Sequence, residues 1–136
     1  KFYGAAGMRL GFAITSHPVA ARLRAALGAW PVSTRAIEYG LAAFGDPGWA
    51  AAQRGKLKAG AAALDALLAR FGFRNIVGTA LFRFAEHVHS HGVFQHLAKS
   101  GILTRPYRDV NALRLGLPGS DEERERLSEA LSSLRF

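Results

Sequence analysis

Cysteine is absent from this chain, so it can form no disulfide and offers no thiolate as nucleophile or metal ligand. A cytoplasmic setting is the expectation that follows. No stretch approaches the roughly 18 uninterrupted apolar residues of a membrane helix. The apolar opening is broken by Arg9 and no small-residue cleavage site follows it, so neither a membrane span nor a signal peptide is expected. Acidic side chains are scarce, 10 against 18 basic ones, and the net charge is +8. Such an excess suits a nucleic-acid surface, an anionic small-molecule site or the basic half of a larger protein. The arginines are scattered singly without an RNP, zinc-finger or helix-turn-helix pattern, which argues against nucleic acid.

Several catalytic patterns are missing as well. The serines form no Gly-x-Ser-x-Gly elbow, and Asp46, Asp65 and Asp109 have no paired-carboxylate spacing. His87, His89 and His91 alternate and His96 follows, so on one strand face three imidazoles could meet a zinc ion. The run falls where a strand gives way to a helix and no Asp or Cys completes a set. A surface turn without metal is expected there. Internal repeats are absent, and the alanine-rich stretch from Ala50 to Ala69 reads as helix propensity.

What remains is 136 residues, 49% hydrophobic, enough for one ordinary globular domain, and the helix and strand signals along it alternate as in an α/β fold. The alternation of Met8, Leu10, Phe12 and Ile14 predicts a strand with Arg9 on its opposite face. Ser16 and Pro18 open a helix striped by Val19, Leu23 and Leu27 and stopped by Gly28. A second helix fits Thr34 to Phe44, capped by Ser33, with Ile37, Leu41 and Phe44 inward. After the punctuation GDPG comes the longest helix, Trp49 to Phe71, about 34 Å at 1.5 Å per residue. From Ile76 to Phe84 the period changes to two, which predicts one strand buried on both faces for part of its length. A short helix over about His91 to Ser100 and strands over Ile102 to Tyr107 and Ala112 to Leu117 follow, the last placing Leu113, Leu115 and Leu117 opposite Arg114. Ser120 and Glu123 form a capping box for a final helix whose stripe is Leu127, Leu131 and Leu134.

The opening residues KFYGAAGMR carry the chemistry. A lysine before a glycine-containing turn can form an imine with a carbonyl, and the turn can aim a second cation, eight residues on, at a nearby anion. The segment resembles the Lys-[FAY]-[FY]-Gly-Leu-Ala-Gly-[LVM]-Arg signature of fold-type I pyridoxal-phosphate (PLP) enzymes, in the branch holding histidinol-phosphate aminotransferases and threonine-phosphate decarboxylases. A second match is GILTRPYRDVNALRLGLPGSDEERERL. It is similar to that family's Gly-Ile-x-x-Arg, a variable loop, Leu-Arg-[IVFL]-[TSG]-[VL]-Gly and an acidic helix start. The loop between the two arginines is short here, and GLPG replaces the Thr-Val-Gly-Thr-like run of aminotransferases.

The resemblance implies that Lys1 carries PLP, that Arg9 holds the cofactor phosphate, that Arg114 pairs with the substrate carboxylate, and that Arg105 helps bind the substrate's anionic groups. A planar guanidinium can fork onto a carboxylate or phosphate with two parallel hydrogen bonds, which suits both arginines. The fold implied is the C-terminal portion of a fold-type I transferase, with residues 1–30 ending the large cofactor lobe and residues 31–136 supplying interdomain helices and the small lobe. On this reading the strands and helices that bury the cofactor precede Lys1. The family also implies a homodimer acting on a small phosphorylated amino acid or amino alcohol. The segments GTALFRF and LRLGLPG look more like those of threonine-phosphate decarboxylases than those of histidinol-phosphate aminotransferases, and that resemblance implies decarboxylation of threonine phosphate in cobalamin synthesis, with histidinol-phosphate transamination as the alternative. A cofactor-free basic binding module is the alternative from another class.

Overall fold

A computed structural model describes residues 1–135, which divide into two compact units, Lys1–Ala50 and the remainder from Ala51. The division falls inside a single long helix.

In the first unit a 3-10 turn at Ala6–Met8 is followed by irregular chain, then by α1 (His17–Leu27) and α2 (Thr34–Phe44). α1 starts with proline in its first turn and ends at Gly28, and α2 is capped by Ser33, whose hydroxyl accepts the Ala36 N–H. The strand expected over residues 8–15 is not formed. No described residue of this unit is in a strand, and a strand without a neighbour leaves its backbone groups unpaired. Arg9 adopts the left-handed conformation at φ 55°, so it does not sit on a strand face.

The inward stripe expected for α2 is also corrected. Ile37, Leu41 and Phe44 are exposed, while Ala36 and Gly40, one position back, are buried. The reason is the width of the groove: a β-carbon on Gly40 would lie 2.8 Å from Leu10 Cδ2, so the small face of α2 receives Leu10.

α3 (Pro47–Arg70) begins at the Asp46 carboxylate, which accepts the Trp49 N–H at 2.8 Å, and has proline in its first position. It ends where the Phe73 and Gly72 N–H groups donate back to the carbonyls of Leu68 and Ala69.

The second unit continues with β1 (Arg74–Thr79), β2 (Phe82–Glu86), α4 (Ser90–Lys99), β3 (Arg105–Tyr107), β4 (Ala112–Gly116) and α5 (Asp121–Ser132). The single strand expected over Ile76 to Phe84 is therefore a hairpin, turning at Ala80 and Leu81 with Thr79 paired to Phe82. Gly78 makes the approach possible. Its φ is 152°, and a β-carbon there would collide with the Phe82 carbonyl oxygen. The Thr79 hydroxyl accepts the Leu81 N–H and completes the turn.

The strands form one antiparallel sheet in the order β1-β2-β4-β3. Ala85, Leu113 and Leu115 face a core built with Leu64 and Leu68 of α3, Val93 and Leu97 of α4, and Leu127 and Leu131 of α5. Leu113 and Leu115 were expected there, whereas Leu117 is only half-buried.

Arg83 also points to the helix side of the sheet. It forks onto Asp65 of α3, Nε to Oδ1 at 2.6 Å and Nη2 to Oδ2 at 2.8 Å. The capping box is present in modified form: Ser120 accepts the Glu123 N–H, but Glu123 reaches back to the Gly119 N–H instead of that of Ser120. α4 and α5 are tied by His96, whose Nε2 lies 2.8 Å from the Ala130 carbonyl oxygen.

Candidate active site

Lys1 and Arg9 belong to the first unit. The Lys1 carbonyl accepts the Gly4 N–H at 3.0 Å, closing a tight turn that Gly4 enters with φ 73°. Lys1 lines a cleft with Met8, Leu10, Phe12, Tyr39 and Phe44. Tyr3 is locked beside it, stacked on Trp49 at 5.3 Å while its carbonyl accepts the Tyr39 hydroxyl at 2.8 Å. The Arg9 guanidinium is exposed. Its Nη1 donates only a long 3.5 Å bond to the Ala6 carbonyl, and among the described residues it forms no ion pair. An amine at an aromatic and aliphatic cleft, with a cation not committed to any carboxylate, matches in donor chemistry an aldehyde that carries a phosphate.

Arg105 and Arg114 belong to the second unit, where the sheet brings them together. They are direct partners across β3 and β4, so both side chains rise from one face, opposite the core face of Leu113 and Leu115. Phe84 is the partner of Arg114 across β2, which adds Phe82 and Phe84 to the same face, and Tyr107 joins from β3. Arg114 lies over the Phe82 ring at 5.2 Å, Arg105 over Tyr107 at 5.6 Å, and Phe84 meets Tyr107 edge-on at 5.3 Å. Neither arginine forms an ion pair among the described residues. Glu86, the acid on this face, accepts the Asn75 amide at 2.8 Å.

Like charges directly opposed on neighbouring strands destabilise a sheet unless an anion joins them. The arrangement is thus a pair of forked donors on an aromatic floor, suited to a ligand with anionic groups.

Sequence reasoning missed the aromatic floor. The signal was the two-residue step from Arg105 to Tyr107, which on a strand puts a ring beside a guanidinium.

The histidine run is not a simple surface turn. His87 is buried, packed on Phe73 at 4.9 Å, and its Nδ1 accepts the His89 N–H at 3.1 Å. Burial holds its pKa below the ordinary 6.5, nearby His89 adds to that, and a hydrogen bond with the Phe71 backbone opposes it. Among the described residues no group of three or more His, Asp or Glu side chains could hold a metal ion, and no helix is long and apolar enough to cross a membrane.

An amine-bearing glycine turn together with a small α/β unit that presents paired arginines defines a class, and comparison with known proteins agrees with it. The family described as aminotransferase class I and II matches residues 1–131, and the chain belongs to that family. PLP is the cofactor of this family.

Among individual relatives, the chain is 37% identical to a threonine-phosphate decarboxylase from Pseudomonas aeruginosa, over 96% of this chain and 40% of that protein. It is likewise 37% identical to one from Sinorhizobium, over 100% of this chain and 40% of that protein. A histidinol-phosphate aminotransferase from Bradyrhizobium diazoefficiens is 33% identical over 95% of this chain and 39% of its own length. The chain thus spans about 40% of the length of these relatives. A crystal structure of a suspected aminotransferase from Burkholderia pseudomallei superimposes with a TM-score of 0.79 over 97% of this chain and 42% of that one; at 23% identity it bears on the fold alone.

Proposed function

We propose that this chain supplies the cofactor lysine and the substrate-binding arginines of a PLP-dependent decarboxylase acting on threonine phosphate. The observation that carries the reading is the in-register pair Arg105 and Arg114, uncommitted to any acid among the described residues. The choice of reaction is supported by the greater identity to two threonine-phosphate decarboxylases than to the histidinol-phosphate aminotransferase. Residues 1–30 would close the cofactor lobe and residues 31–136 would form the connecting helices and small lobe of a homodimer.

The cofactor, when bound, supplies an electron sink for the pair left on the substrate's α-carbon. Lys1 offers the amine that tethers its aldehyde and Arg9 the charge that balances its phosphate. Arg114 forks onto the substrate carboxylate and Arg105 takes the other anionic group, which fixes the substrate at two points. Two-point fixation decides which bond at the α-carbon is aligned for cleavage, so the same residues can serve either loss of carbon dioxide or loss of a proton. In the second case Lys1 Nζ is the group that would take that proton.

The test is product analysis with the complete enzyme. Threonine phosphate should release carbon dioxide without a keto-acid acceptor, and Lys1→Ala should abolish both turnover and the borohydride-trappable adduct. Arg9→Ala should weaken cofactor retention, and Arg114→Lys should restore only part of the activity lost in Arg114→Ala. Accumulation of the cofactor's amine form with histidinol phosphate, and no carbon dioxide from threonine phosphate, would move the reaction to transamination. A protein without visible cofactor absorbance would be a binding module instead.

A further inference from the structure

We infer that Phe82 and Tyr107 are positioning residues, each holding one guanidinium so that the spacing of the two cations is set by the sheet and not by their own rotamers. The inference rests on the reading that Arg114 and Arg105 take the substrate's anionic groups.

Three observations converge on it. First, Arg105 and Arg114 are opposed across adjacent strands, where their mutual repulsion would drive two free side chains apart. Second, each guanidinium lies over its own ring, Arg114 on Phe82 at 5.2 Å and Arg105 on Tyr107 at 5.6 Å. The ring face attracts a cation without consuming the donors that an anion needs. Phe84, edge-on to Tyr107, continues the floor between the two platforms.

Third, the ring under Arg114 is itself fixed from the far side of the sheet. Phe82 is the first residue of β2 after the two-residue turn. Its neighbour Arg83 is forked by Asp65 of α3, and Arg83 Nη1 donates to the Thr79 carbonyl at 3.4 Å across that turn. The hairpin tip is therefore clamped to α3 by one face and carries the arginine's platform on the other. A guanidinium held in this way gives up less freedom when an anion arrives, which is how preorganisation raises affinity.

The test uses the complete enzyme, 15N-labelled at arginine, with threonine phosphate as the probe and inorganic phosphate as competitor. In the unaltered chain the Arg114 Nε–H resonance should be shifted upfield by the Phe82 ring and show a through-space contact to it; absence of both overturns the inference without any variant. Phe82→Leu keeps the bulk and loses the ring face, so the shift should vanish and the dissociation constant should rise about 2–5-fold, the range of an exposed cation–π contact. Phe82→Tyr should retain both, and Tyr107→Leu should do to Arg105 what Phe82→Leu does to Arg114. Unchanged binding and shift in Phe82→Leu, or equal losses in Phe82→Leu and Phe82→Tyr, refute it. Arg114→Gln separates the two levels. If it loses binding while Phe82→Leu does not, the positioning role alone fails; if it binds as the unaltered chain does, the substrate-arginine reading falls and takes this inference with it.

Discussion

Replacing Asp65 by asparagine keeps the shape of the side chain and removes the charge that Arg83 is built around. Both limbs of the fork are short, and the side chains are 14% and 35% exposed for Arg83 and Asp65. Fully exposed pairs are worth about 0.2–1 kcal/mol, and removing one partner of a fully buried pair costs about 3–5 kcal/mol. A half-screened fork lies between them, so Asp65→Asn should cost about 1–2 kcal/mol. For a unit of this size that is a fall in Tm of about 4–16 °C. Urea unfolding of the chain, followed by far-UV circular dichroism, measures the loss directly as a shift in midpoint at constant slope. The double replacement Asp65→Leu with Arg83→Met removes both charges together and should recover most of the loss, because no buried charge is left unpaired. A loss below about 0.5 kcal/mol, or a double variant no better than the single, would refute the account.

Burial depresses the His87 pKa, so the folded state keeps it neutral while the unfolded chain takes up a proton near pH 6.5. The stability it protects is therefore complete above pH 6.5 and declines as pH falls below that value. His87→Gln should flatten the decline below that pH, and an unchanged slope in a urea series at stepped pH would count against it. Leu113→Ala, at a position 0% exposed between sheet and helices, should cost about 3–5 kcal/mol by calorimetry. Ser120→Ala should cost about 1 kcal/mol through loss of the bond from the Glu123 N–H, and Ser120→Gly only a few tenths. Gly78→Ala should disrupt the hairpin turn, seen as loss of cross-strand contacts between Thr79 and Phe82 by NMR.

What was legible in the sequence was whatever is encoded locally. α2 has the boundaries that Ser33 and Gly45 mark, and α5 starts at the Ser120 cap, because a cap or a stop acts on the nearest turn. The alternation around Arg114 likewise fixed which of its neighbours enter the core. Failures came where a non-neighbour decides. Residues 8–15 have strand periodicity but no partner strand among the described residues of their unit, and periodicity alone cannot supply one. In α2 the hydrophobic pattern points the large stripe inward, yet the groove made by Ala36 and Gly40 receives Leu10, so packing by shape overrides packing by hydrophobicity. The hairpin at Ala80 and Leu81 was hidden because neither turn residue is a usual turn former; Gly78, just upstream, was its one signal.

The candidate site divides in the same way. Lys1, Arg9, Arg105 and Arg114 could be named from motif spacing, since spacing along the chain is what a motif records. Their surroundings could not, because register across strands is set by the whole sheet. The pairing of Arg105 with Arg114 depends on the offset between β3 and β4, and a slip of one residue in either strand would turn one guanidinium into the core. Leu113 and Leu115 prevent that slip by being buried on the other face. The same two leucines that stabilise the unit therefore also fix the positions of the charges beside them, so core substitutions at Leu113 or Leu115 that spare the fold should still alter anion affinity at Arg114.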